Sequence, residues 1–364
     1  MGICIITTYP PRRCGLAEFS SYLRQGLLNA GETDVPIVAL VNESGLNYSP
    51  EVIHHIRYGN LHDYDAAVPI INHSADIDAV ILQHEFSLFG GQDDDYLFNL
   101  LARLTKPVLT VFHTIPDSFP SRESEIIKNI SHVSKRVICL SERGKQFLHA
   151  VCNVEPQRIA VIPNGIPDIG PRSQEQLKEG IHAKNRIIAM TGGLLNPNKG
   201  IELVLYAMPR VVRKHPEFLY LIIGATLPHE LQSNGESYRN KLHALSVQLG
   251  IADHVRFNGN YMSNEEFIDH LIASDIFITP YRGRNQNSSA TLAYAAYYGK
   301  ACISTPYYYA EELLGGVGLL FPFNDHRSLA YQLNYLLDTP GVIRAFGDAA
   351  KQKTKHHAWP EVAR

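Results

Sequence analysis

The sequence predicts an α/β protein of two doubly wound domains, each a parallel sheet with helices on both faces. Three observations predict it. Short apolar, β-branched runs punctuate the chain, segments of helical period lie between many of them, and the alternation pauses once near the middle before it restarts. The 364 residues leave room for two domains of about 150 residues, each able to bury its own core. A single barrel of this length is the structural alternative.

In the first half the apolar runs are residues 3–7, 79–82, 108–112, 137–140 and 159–162. In the second half they are 187–190, 220–223, 255–257, 276–279 and 302–304. Such near-continuous runs read as strands buried on both faces. Helical period follows the first run, where Phe19, Leu23 and Leu27 fall on one side of residues 19–28. Residues 201–212, 238–249 and 292–298 are the other clear helical segments. Strands alternating with helices imply parallel sheets built from right-handed crossovers. The pause is residues 163–184, with Pro163, Gly165, Pro167, Gly170 and Pro171, which is linker chemistry.

Composition excludes several classes. The formal net charge is −3, from 33 basic and 36 acidic residues, so nothing draws the chain generally to nucleic acid or to an anionic membrane. No apolar run reaches the roughly 18 residues of a membrane span. Residues 1–8 are apolar, but Arg12 and Arg13 follow them, the reverse of a secretory signal, so the segment reads as a first strand. Cys4, Cys14, Cys139, Cys152 and Cys302 are scattered and odd in number, with no C-x-x-C pair. That argues against a disulfide framework or zinc site and fits a reducing, cytoplasmic setting. The His54-His55 and His356-His357 pairs lack helical ligand spacing.

In open α/β sheets ligands bind beyond the carboxyl ends of the strands, and two such domains would share a cleft. The residues just after each strand are therefore the candidates. Tyr9 to Glu18 lead from the first strand into a helix through Gly15, either an anion site of backbone N–H groups or a plain turn. One glycine is too few for a dinucleotide fingerprint. Gln83-His84-Glu85-Phe86 and His113-Thr114 follow two further strands. Ser141-Glu142-Arg143 reads as a helix N-cap with an acidic first turn. In the second half, Gly192-Gly193 to Lys199-Gly200 set two glycines and a lysine before a helix, without Walker spacing. Pro280 to Thr291 end in small polar residues at a helix N-terminus, where hydroxyls and N–H groups can meet a diphosphate. The tyrosines at 297, 298, 307, 308 and 309 offer either sugar stacking or packing.

In this order and spacing the motifs resemble family 4 glycosyltransferases, the retaining class of the GT-B fold, over nearly the whole chain. The strongest pieces are Val161-Ile162-Pro163-Asn164-Gly165-Ile166, the loop from Gly193 to Gly200, Phe257-Asn258-Gly259, Ala273 to Pro280, and Gly299-Lys300-Ala301-Cys302-Ile303-Ser304. The resemblance implies an acceptor-binding domain at 1–168 and a nucleotide-sugar domain at 185–350. It also implies the start of a crossover helix at 351–364. Lys199 matches the lysine on the donor diphosphate, with Gly15 and Gly193 beside the phosphates. Asn287, Ser288, Ser289, Ala290 and Thr291 match the loop facing the pyrophosphate. Tyr261, near Gly259, matches the backbone that reads the base, and His113 a histidine beside the donor sugar. Glu85 would stand with His113 at the chemistry, and His84 and Arg12 on the acceptor side.

The pattern departs from the family in three places. Leu194 stands where an arginine is usual, five residues before the lysine, and Arg282 or Arg284 would have to supply that charge. Gln286 and Tyr294 stand where two glutamates are usual; Gln286 can bond sugar hydroxyls but cannot act as an anion, and Tyr294 would contact ribose. The resemblance implies no metal and no cofactor beyond a nucleotide-sugar donor, GDP-mannose ahead of a UDP-sugar, because basic residues and helix dipoles neutralise the leaving group. The acceptor would be a glycan, lipid or small molecule, not nucleic acid. Lys128, His132, Lys135 and Arg136 form a thin basic patch, either a peripheral membrane contact or a solvated face. A GT-B phosphorylase or sugar-nucleotide epimerase, or a non-catalytic nucleotide-sugar-binding partner, would carry the same pattern.

Overall fold

Every apolar run named above becomes a parallel strand. The computed structural model describes residues 2–42, 45–116 and 120–364. The chain divides into two compact units, Met1–Pro167 with His357–Arg364, and Asp168–His356. The first unit holds β1 (Ile3–Thr7), β2 (Ile37–Val41), β3 (Val52–Arg57), β4 (Ala79–His84), β5 (Val108–Phe112), β6 (Arg136–Cys139) and β7 (Ile159–Val161) in the order β3-β2-β1-β4-β5-β6-β7. The second holds β8 (Ile187–Gly192), β9 (Phe218–Ile223), β10 (Val255–Asn258), β11 (Ile276–Thr279), β12 (Ala301–Ser304) and β13 (Leu319–Leu320) in the order β10-β9-β8-β11-β12-β13.

Burial on both faces explains the apolar runs. On β1, Ile3 and Ile5 pack into one cluster with Val35, Ile37 and Ala39, while Cys4 and Ile6 pack into the other with Val80, Leu82 and Phe112. A strand's side chains alternate between faces, so only a continuous apolar run can serve two layers. In the second unit Ala189, Ile222, Ile276, Ile278 and Ile303 build one core face beneath the helix Ile201–Val212. Each fully buried leucine or isoleucine contributes about 1.5–3 kcal/mol.

Three strands were not among the expected ten. β2 lies in an apolar run after Pro36 that carries the same signal as the others. β3 is an edge strand with alternating exposure and two histidines, and β13 is two residues long. Residues 163–184 also differ from a free linker. Gln174–Gly180 is a helix capped by Ser173, and Lys178 Nζ binds Asp275 at 2.7 Å and the Arg186 carbonyl at 3.0 Å.

The expected crossover helix at 351–364 is likewise not one helix. Residues 351–354 finish the helix Val342–Thr354 of the second unit, and a separate four-residue helix, Trp359–Val362, belongs to the first. Trp359 explains the return. It is 4% exposed and lies on Phe19 and Tyr22, with ring centroids at 4.8 and 6.4 Å. A Cβ on Gly165 would sit 2.3 Å from its ring.

The strand orders fix where a ligand can enter. Sequence direction reverses between β1 and β4 in the first sheet and between β8 and β11 in the second. At such switch points the loops leave on opposite faces and open a crevice at the carboxyl ends. Among the described residues, no helix is long and apolar enough to cross a membrane.

Candidate functional site

The switch point of the second unit gathers residues that lie far apart in sequence. β8 ends at Gly192, and Gly193 follows with φ of 106°, a value that favours glycine. A Cβ there would lie 3.7 Å from Lys199 Nζ and 3.5 Å from Thr291 Cγ2. The turn Pro197–Lys199, capped by Asn196, presents the lysine. β11 ends at Thr279 and leads to Tyr281, whose phenol oxygen is 2.8 Å from Lys199 Nζ. Ser289 caps the helix Ala290–Tyr297, its hydroxyl accepting from the Leu292 N–H at 3.4 Å. A helix N-terminus with outward N–H groups, hydroxyls and one cation can hold a multiply charged anion.

The other residues expected there sit around this cluster. Asn287 and Ser288 are half-buried, and the Ser288 carbonyl accepts from Gln286 Nε2 at 3.1 Å. Gln286 is held in place through its backbone, which accepts from the Tyr309 N–H. Tyr294 is 9% exposed within the helix, so it offers little surface to a ribose. Tyr261 follows the edge strand β10 and is exposed. Among the tyrosines considered for stacking, Tyr307 and Tyr309 are buried packing. Both arginines offered as substitutes for the missing one are ion-paired. Arg282 pairs with Glu202, and Arg284 pairs with Glu311 at 3.3 Å.

In the first unit the switch point brings β1, β4 and β5 together. Gly15 opens the helix Gly15–Asn29 behind an N-cap on Cys14, and a Cβ there would meet no atom within 4 Å. Arg12 is half-buried and points Nη1 toward the Leu40 carbonyl at the end of β2, 3.5 Å away. His113 Nε2 is 2.6 Å from Gln83 Oε1, and its ring meets Phe19 edge-on at 4.7 Å. Burial, with His84 beside it, pushes the His113 pKa down to about 3. The ring is therefore neutral at ordinary pH and works as a hydrogen-bonding group, not a cation. Glu85 accepts from Thr114 Oγ1 at 2.8 Å and from the Phe86 N–H at 2.9 Å, while burial holds its carboxyl above the usual range.

His84 is corrected. Its side chain is fully buried, stacked on Phe89 at 5.7 Å and edge-on to Phe86 and Phe112, with Nε2 3.5 Å from Asp94 Oδ2. Buried among aromatics, it cannot touch an acceptor. The last residues of β4 are still sandwiched between layers, which makes His84 a core histidine and leaves Glu85 as the first residue free of the sheet. Ser141 caps the helix Glu142–Ala150 as expected, accepting from the Gly144 N–H at 3.2 Å.

Sequence reasoning gave no role of their own to Tyr281, Gln83 and Thr114, although each lies in a segment it named. The available signal was position, because each stands at the carboxyl end of a switch-point strand. Cavity size does not find the site. A groove of about 720 Å³ lined by Tyr48, His55, Arg57 and Tyr58 lies at the edge strand β3, two strands from the switch point. Among the described residues, no group of three or more His, Cys, Asp and Glu side chains could hold a metal.

Fold and geometry thus define a protein of two doubly wound α/β units whose second unit carries a lysine, hydroxyls and a helix N-terminus at its switch point. The family of glycosyl transferases group 1 matches residues 172–353, half of the chain, and glycosyltransferase family 4 matches residues 21–168. The chain belongs to the glycosyl transferases group 1 family. It is 23% identical over 251 residues to D-inositol 3-phosphate glycosyltransferase of Streptomyces bingchenggensis (strain BCW-1), covering 65% of this chain and 52% of that protein. It is 22% identical over 204 residues to phosphatidyl-myo-inositol mannosyltransferase of Mycolicibacterium smegmatis, covering 56% and 49%. The chain spans about half the length of these curated relatives. Among solved structures, HepE of Anabaena in complex with UDP matches with a TM-score of 0.76 at 15% identity, over 100% of this chain and 97% of that one. Sucrose-phosphate synthase of Thermosynechococcus elongatus matches at 0.75 and 16%, over 99% and 96%. At these identities the likeness is one of fold.

Proposed function

We propose that this chain is a retaining glycosyltransferase that moves a hexose from a nucleotide-diphosphate sugar to a hydroxyl acceptor. The carrying observation is the convergence of Gly193, Lys199, Ser289 and Thr291 at the switch point of the second unit. There Lys199 and the helix N-terminus neutralise the diphosphate as it leaves. The bond between the anomeric carbon and the phosphate oxygen breaks, and the acceptor oxygen bonds that carbon from the same face. The departing diphosphate takes the acceptor's proton. No metal is needed where fixed donors meet the leaving charge. In the first unit Glu85 and His113 line the sugar or acceptor side, with His113 a neutral hydrogen-bonding group.

For the donor, a mannosyltransferase among the relatives supports GDP-mannose, while HepE, solved with UDP and with UDP-glucose, supports uridine donors. Gln286, where the resembling family carries a carboxylate, reads the sugar through a neutral amide. The test is thermal stabilisation by GDP, UDP, ADP and dTDP, each with and without its common sugars. A ligand at 100 times its Kd stabilises by about 2.7 kcal/mol, a visible rise in Tm. One base standing out is the expected result. No stabilisation by any of them overturns the reading.

A further inference from the structure

The resemblance implies a lysine and an arginine at the diphosphate. Leu194 replaces the arginine. Arg282 is held by Glu202, and Arg284 lies between Glu311 and the Tyr308 ring, 5.3 Å from its centroid. The group that does stand against Lys199 is aromatic. Its Nζ donates to the Tyr281 phenol oxygen at 2.8 Å and lies 4.2 Å from the centroid of the same ring. An ammonium over an aromatic face is attracted to the ring's electron-rich surface, more so where water is excluded.

Tyr281 is fixed on every side. It is 2% exposed and stacked on Tyr307, itself fully buried, at 5.0 Å and 17° between planes. The Arg282 N–H donates to the Asn198 carbonyl at 2.9 Å, and Gly200 packs so closely that a Cβ would lie 2.2 Å from the Pro280 carbonyl oxygen. The lysine turn and the tyrosine are thus locked backbone to backbone. An unrestrained lysine samples many rotamers and must give them up on binding an anion. This one is already held, beside Gly193 and the Thr291 side chain.

We propose that Tyr281 is a positioning residue for the donor diphosphate. Its oxygen and ring hold the Lys199 ammonium in place before a diphosphate arrives. The proposal rests on the transferase reading above.

The experiment is a double-mutant cycle on binding, with Tyr281→Phe, Lys199→Ala and the pair, titrated with UDP, GDP and the matching nucleosides. Tyr281→Phe removes only the phenol oxygen. It is expected to weaken the diphosphate by about tenfold, in line with a hydrogen bond to a charged group, and to leave the nucleoside unchanged. In the Lys199→Ala background the same change is expected to have almost no effect, because there is no ammonium left to place. Equal diphosphate affinity in Tyr281→Phe and the unsubstituted protein overturns the proposal. So does a loss that adds in full to that of Lys199→Ala. A second measurement needs no tyrosine variant. Lysines dimethylated with ¹³C-formaldehyde should give one ring-shifted resonance, absent in Lys199→Ala and moved by the diphosphate but not the nucleoside; its absence also overturns the proposal. If the unsubstituted protein binds no nucleoside diphosphate at all, the transferase reading fails first, before any variant is compared.

Discussion

Lys199 and His113 show what single side chains contribute at the two switch points. Lys199 is half-exposed and bonds a phenol rather than a carboxylate, so its charge remains available to a ligand. Lys199→Ala should abolish turnover, by at least about a hundredfold, with the melting temperature within a degree or two. Near-normal turnover would remove the lysine from the phosphate. His113 gives a prediction in pH. Its folded pKa, about 3, lies below the ordinary 6.5, so the unfolded chain takes up a proton that the folded chain refuses. Stability is therefore present above about pH 6.5 and is lost as pH falls toward 3. Urea melts should show His113→Gln losing about 2 kcal/mol less than the unsubstituted protein between pH 7 and pH 5.

At the scale of elements, the turn and strand end that carry Lys199 and Tyr281 depend on one glycine. Gly200 has φ of 62° and almost touches the Pro280 carbonyl. Gly200→Ala should cost about 2 kcal/mol or more, from the left-handed backbone and the close contact together, and should also weaken nucleoside diphosphate binding by moving the lysine turn. Calorimetry with and without UDP reads both effects. The elements also show what the sequence made legible. Strands sandwiched between helix layers need a residue for each face, and their apolar runs stood out. β3 did not, because an edge strand can carry His55 on its wet face and a half-buried His54 on the other. That Lys199, Gly193 and Thr291 would meet was legible because each follows a strand, and loops after neighbouring strands of one parallel sheet gather at the same edge. Tyr281 was not, since a tyrosine beside a strand reads equally as packing until its oxygen is seen against Nζ. His84 misled for the mirror reason: the end of a strand is not always the end of its burial.

At the scale of the molecule, the chain leaves the first unit at Asp168 and returns at His357. The return is anchored by Trp359. Trp359→Ala would open a cavity against Phe19 and Tyr22 and should cost about 3–5 kcal/mol, with a lowered melting temperature and faster proteolysis after His357. The outgoing and returning strands also meet. Ile166 and Ala358 form a parallel bridge, with the Ile166 N–H donating to the His357 carbonyl at 2.8 Å and the Trp359 N–H donating to the Ile166 carbonyl at 3.2 Å. The bridge is a mechanical short circuit. Tension pulled between a point before Ile166 and a point after Ala358 runs through two hydrogen bonds and the seated tryptophan, and bypasses the inserted unit. Under force the second unit stays unloaded until that clasp gives way.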